Sequence, residues 1–127
     1  MYKEIIISIG IVVLVILGDV ITQNYTKKTV QELTFKLEEL KQNLKNNNSN
    51  YIITNIEELN QNIERVHSKL AYYLEHDELE KAETYFTSCK SYVDSKKYDL
   101  AMQEAEKTIY VLNHITDKYS FNLENIF

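Results

Sequence analysis

The chain has no proline and no tryptophan, and both of its glycines, Gly10 and Gly18, fall within one apolar stretch near the start. Beyond Gly18 it therefore lacks the two residues that most often punctuate helices and close tight hairpins. Their absence argues against a sheet built from hairpins and for long helices. A single cysteine, Cys89, excludes an intrachain disulfide. Lying on an apolar stripe, it reads as a small buried hydrophobe rather than a reactive thiol. Runs of basic residues are also missing. The net charge is −5, and the part after residue 21 carries 17 acidic and 13 basic side chains, which argues against nucleic acid as a partner. No Gly-rich phosphate loop, no HExxH pattern and no pair of Glu-x-x-His motifs for a di-iron bundle is found.

What is present begins with residues 5–21, IIISIGIVVLVILGDVI, apolar and uncharged until Asp19. As a helix these residues rise about 25 Å, just short of a bilayer core. Tyr2 and Tyr25 flank them, where amphipathic rings favour the headgroup level. Residues 1–22 are read as a transmembrane signal-anchor and residues 23–127 as a helical bundle domain. A cleaved signal peptide is the rival reading, but no small-x-small cleavage site precedes Asp19. A buried core helix is the other, but a domain this small cannot surround a helix that is apolar on every face. Lys3 lies before the stretch and Lys27, Lys28 and Lys36 after it, a comparison that favours the opposite topology. With an N-terminal tail of only four residues, the expectation is nevertheless an N-terminus inside. The protein is then single-pass in the cell membrane, with its soluble domain extracytoplasmic.

The remainder follows helical periodicity. Val30, Leu33, Leu37, Leu40 and Leu44 alternate spacings of three and four, a bundle stripe that continues the first helix to about residue 45. Thr22, Gln23 and Asn24 mark the crossing and the place where this helix is most apt to break. Residues 46–50, NNNSN, predict a turn, with Ser49 or Asn50 as the next cap. Two matches to the glycosylation pattern, at Asn24 and Asn47, are too short to carry weight. Ile52, Ile56, Leu59, Ile63, Val66, Leu70 and Tyr73 define a second helix over about residues 51–75. Asp77 followed by Glu80 has the spacing of a capping box that opens a third helix, with Leu79, Ala82, Phe86, Cys89 and Val93 as its apolar stripe. Residues 94–97 form a short connector. A fourth helix over about residues 97–118 buries Tyr98, Ala101, Met102, Ala105, Ile109, Leu112 and Ile115. Phe121, Leu123, Ile126 and Phe127 in the tail are expected to fold back on the bundle. The predicted fold is all-α: an N-terminal transmembrane helix continuing into a small antiparallel bundle of about four helices. Tyr98-Asp99-Leu100-Ala101 resembles part of a tetratricopeptide pair, but an array needs several copies, so the third and fourth helices read as an ordinary hairpin.

His76, Asp77, Glu78 and Glu80 are the densest set of candidate ligands. A metal site would need them to converge with His114 or His67; the plainer reading is a helix corner. No cofactor is expected. A hydrolase or redox site would need an open pocket holding Cys89 or paired carboxylates. The sequence has ten tyrosines. Such rings join an apolar contact to a wet edge, so they suit either the bundle rim or a partner surface; Tyr72 and Tyr92 are the candidates for the latter.

The stretches Leu70-Ala71-Tyr72-Tyr73-Leu74-Glu75-His76-Asp77-Glu78-Leu79-Glu80 and Leu112-Asn113-His114-Ile115, with the ending Leu123-Glu124-Asn125-Ile126-Phe127, resemble the bacterial family catalogued as domain of unknown function 4363. So does the layout of one hydrophobic segment before about 100 helical residues. The resemblance implies membrane-anchored helical proteins, mainly of Firmicutes, and marks His76, Glu78, His114 and Asn125 as family-like positions. It implies no activity or cofactor. Members often carry a tryptophan in the helix before the His-Asp/Glu corner; here Ile63 or a neighbour stands in that helix. The expectation from residues and resemblance together is a non-enzymatic, membrane-anchored interaction domain that binds an envelope protein or a second copy of itself. The alternative is a ligand- or metal-sensing bundle around His76 and His114.

Overall fold

The computed structural model describes the backbone of residues 2–70 and 76–126, and the side chains of residues 2–69 and 77–117. The described residues form four helices and no strand: α1 Tyr2–Lys45, α2 Ser49–Leu70, α3 His76–Asp94 and α4 Tyr98–Ile126. The fold is an all-α bundle.

Helix α1 runs through Thr22, Gln23 and Asn24 without a break. Nothing there forces one: no proline or glycine follows Gly18, and the Thr26 hydroxyl folds back to donate a 2.8 Å bond to the Thr22 carbonyl, keeping it compatible with the helix. The two halves of α1 differ in surroundings. Residues 2–21 are exposed, apart from a half-exposed Ile16. They belong to a helix long and apolar enough to cross a membrane. From Thr26 onward one face is buried, and Val30, Leu33, Leu37, Leu40 and Leu44 lie in the core as their spacing predicts. Leu37 and Leu40 have no exposed surface, and each such burial stabilises by about 1.5–3 kcal/mol.

Both sharp reversals use a left-handed residue after a helix end. Asn47 has φ 54° and Lys96 has φ 59°. At the first, Asn48 N–H donates to the Asn43 carbonyl (3.1 Å) and Asn47 N–H to Leu44 (3.3 Å). At the second, Lys97 N–H donates to Tyr92 (2.8 Å) and Lys96 N–H to Val93 (3.0 Å). The paired bonds satisfy carbonyls that the helix end leaves open. Asparagine tolerates this conformation through its short polar side chain, whereas lysine gains nothing from it. Helix α2 opens at Ser49 with the Asn48 carbonyl accepting from Ile52 N–H, so Asn48 stands at the cap, one residue before the predicted positions.

The helices alternate in direction. Helix α4 packs extensively on α3 and α1, α1 packs on α2, and α2 and α3 touch only lightly. Being covered from two sides, α4 buries Thr108 and Val111 in addition to its predicted stripe. The lightly packed α2–α3 seam is joined by polar pairs: Lys90 Nζ donates to Asn60 Oδ1 at 2.8 Å, and His67 Nδ1 lies 2.6 Å from the Glu83 carboxylate. Ile56 and Ile63, which share α2 with these groups, stay half-buried. Leu33, Val66, Leu79 and Leu112, one from each helix, line a single small apolar void. Their meeting sets the register of the bundle.

Two expectations need correction. Helix α3 begins at His76, so Asp77 lies inside the first turn rather than at the cap. There its charge still favours the helix N-terminus. The tail does not turn back, because α4 continues unbroken to Ile126; no proline or glycine interrupts it. The side chains of Phe121, Leu123 and Ile126, all of Phe127, and Tyr73 lie outside the described residues.

Candidate functional site

Because α2 and α4 both run toward the apolar half of α1, the end of α2, the start of α3 and the end of α4 share one end of the bundle. The shared Leu33–Val66–Leu79–Leu112 layer places them there. His76 opens α3 one turn before Leu79, and His114 and Asn125 follow Leu112 on α4. The two stretches singled out in the sequence thus come to the same end of the molecule. Tyr72 and the side chains of His76 and Asn125 lie outside the described residues.

A concavity near this end lies between α3 and α4. It is a groove of about 630 Å³ lined by Glu78, Lys81, Tyr85, Gln103, Glu106, Lys107, Tyr110, Val111 and His114. Glu78 and His114 therefore face one space. Its rim carries a stacked pair: the Tyr110 and His114 rings lie 6.4 Å apart at 9°, with Tyr110 73% exposed. On the floor, Tyr85 is half-buried against the core. Lys107 Nζ stands 5.6 Å from its ring centroid and 3.0 Å from the Glu104 carboxylate. The Glu104 bond holds the Lys107 ammonium above its ordinary pKa. At the α1 side of α4, Glu106 accepts a hydrogen bond from Lys41 Nζ, which likewise raises the lysine's pKa. The groove thus offers two lysines, Lys81 and Lys107, two carboxylates, Glu78 and Glu106, and an exposed aromatic pair. That set suits a polar-rimmed contact with another macromolecule.

The other predicted residues disperse. Asp77 is exposed beside Glu80, Lys81 and Thr84. Tyr92 is half-buried against the core, near the far end of α3 and about 24 Å along the helix from His76 at 1.5 Å per residue. Tyr92 therefore packs the rim of the core rather than presenting an open face. Sequence reasoning passed over Tyr110, although its place opposite the Ile109–Leu112 stripe signals exposure. Among the described residues no group of three or more His, Cys, Asp and Glu side chains is placed to hold a metal ion. Cys89 has no exposed surface, and burial, with Glu104 nearby, pushes its thiol up to about 12. That keeps it protonated and unreactive at neutral pH.

No curated protein matches the chain, and no solved structure matches it. The family described as Domain of unknown function (DUF4363) matches residues 20–126. The match starts within the last turn of the apolar stretch and takes in the rest of α1 and all of α2, α3 and α4, and on that basis the protein belongs to the DUF4363 family.

Proposed function

We propose that the protein is a non-enzymatic, membrane-anchored helical domain that binds an envelope protein or a second copy of itself. On this reading the chain is single-pass, its N-terminus inside and its bundle outside the cell membrane. One observation carries the reading: an exposed apolar length and a fully buried bundle stripe belong to the same uninterrupted helix, α1. A helix built this way ties a lipid-facing segment to a folded domain without a flexible linker. The α3–α4 groove, with the exposed Tyr110–His114 pair on its rim, supplies the contact surface.

Site-specific photocrosslinking in native membranes tests it. A crosslinker at Tyr110 or Gln103 should give a discrete adduct, with another chain or another copy, while one at Tyr92 should give none. Adducts at neither groove position would refute the binding role. A second reading, a ligand- or metal-sensing bundle around His76 and His114, is supported by Glu78 and His114 lining one groove. Zinc titration of the full chain in detergent, repeated with His114→Ala, separates the two. Stoichiometric binding lost in the variant favours sensing.

A further inference from the structure

We infer that the last two turns of α4 rest on the lipid headgroups, so that the chain meets the bilayer at a second point. This rests on the reading of α1 as the anchor. Helices α1 and α4 are antiparallel neighbours in a fixed register: Lys41 pairs with Glu106, and Leu33 shares its layer with Leu112. Each residue back along α1 therefore matches one residue forward along α4. Continued at about 1.5 Å per residue, the α4 backbone reaches the level of Tyr25 near Phe121 and the level of residues 19–21 at Ile126. The apolar exposed length of α1 ends at Ile21. The interfacial layer outside the hydrocarbon is about 5–7 Å thick, about the rise from Ile21 to Tyr25.

A second observation agrees on where protein cover ends. Thr26 is only 3% exposed, and Thr22 and Gln23 are half-buried, whereas nearly all of residues 2–21 are open. The bundle covers α1 back to the end of the apolar stretch at Ile21 and stops there. The segment brought to that level, residues 118–126 (KYSFNLENI), mixes aromatic and aliphatic residues with polar ones and carries one lysine and one glutamate. Nearly neutral and aromatic-rich, it suits a zwitterionic headgroup layer and needs no anionic lipid. Attachment at two points would hold the bundle in one orientation over the membrane.

The chain has no tryptophan, so single-Trp variants of the full protein report depth without background. Leu14→Trp, Phe121→Trp, Leu123→Trp and Tyr51→Trp are reconstituted in phosphatidylcholine vesicles brominated either near the headgroups or near the chain ends, with helicity checked by circular dichroism. Deep bromines should quench Leu14→Trp. Shallow bromines should remove roughly half the emission of Phe121→Trp or Leu123→Trp, as for an aromatic ring at the interface. Tyr51→Trp, at the opposite end of the bundle, should not respond. Quenching of Leu14→Trp with no response from either α4 variant overturns the second contact while leaving the anchor intact. No quenching of Leu14→Trp overturns the anchor and this inference with it.

Discussion

At position 96, glycine should give a more stable protein than alanine. Lys96 occupies the left-handed region at φ 59° to close the α3–α4 turn, with its N–H and that of Lys97 bonded to Val93 and Tyr92. A side chain with a Cβ pays about 1–2 kcal/mol to sit there. Glycine removes that strain but makes the unfolded chain more flexible, a loss of about 0.4–1 kcal/mol. The difference is a gain of about 0.5–1 kcal/mol. Lys96 also lies just past the C-terminus of α3, where a cation is worth about 0.3–1 kcal/mol, so the bare substitution mixes two effects. Lys96→Ala separates them, because it removes the charge and keeps the Cβ. The quantity to compare is therefore Lys96→Gly against Lys96→Ala. Chemical denaturation of the full chain in detergent, followed by helical circular dichroism and by the exposure of Cys89 to a thiol reagent, measures both. Lys96→Gly should have the higher midpoint. Equal midpoints, or a lower one for glycine, would refute the claim that a strained left-handed cap closes this turn. Asn47→Gly, at φ 54°, should gain less, because asparagine already tolerates the conformation.

Three other outcomes follow from burial and polar pairing. Leu40→Ala, at a position with no exposed surface, should cost about 2–5 kcal/mol; Phe35→Ala on the opposite face, 72% exposed, should change stability by no more than about 0.5 kcal/mol. Asn55 is buried and accepts a 2.5 Å bond from Asn43 Nδ2, so Asn55→Ala should cost about 1–3 kcal/mol. A double-mutant cycle with Asn43→Ala should show coupling between the two; simple additivity would dismiss the bond. Burial raises the Cys89 thiol from 9.0 to about 12. Its contribution is fully present below pH 9 and is lost as the pH rises further, because the unfolded thiol ionises first. Wild type should lose stability relative to Cys89→Ala above pH 9, by up to about 1.4 kcal/mol per pH unit. Parallel pH profiles would contradict a buried neutral thiol.

Much of the architecture was legible in the residues. The spacing of Val30, Leu33, Leu37, Leu40 and Leu44, and of the stripes on α2, α3 and α4, identified the faces that are buried. The asparagine-rich turn and the short connector at residues 94–97 marked two reversals. The α3 start was misjudged because an Asp-x-x-Glu spacing suits a first turn as well as a cap. The tail was misjudged because apolar residues near a terminus say that cover is needed without saying whether it comes from a fold-back or from a continuing helix. At the candidate site, Glu78 and His114 were picked out and share a groove. Tyr92 was picked out and packs the rim, and Tyr110 was missed.

The sequence by itself determined the helices, because helical periodicity and the absence of breakers act over a few residues along one chain. It also determined that an apolar length precedes the bundle. Only the tertiary structure decided which helices are neighbours. Its choice of α4 for the two-sided position buried Thr108 and Val111, and left the α2–α3 seam to polar pairs. It also decided that the corner at His76 and the end of α4 lie at one end of the molecule. Such placements depend on what covers a residue from another part of the chain, and the spacing of side chains within one helix carries no record of that.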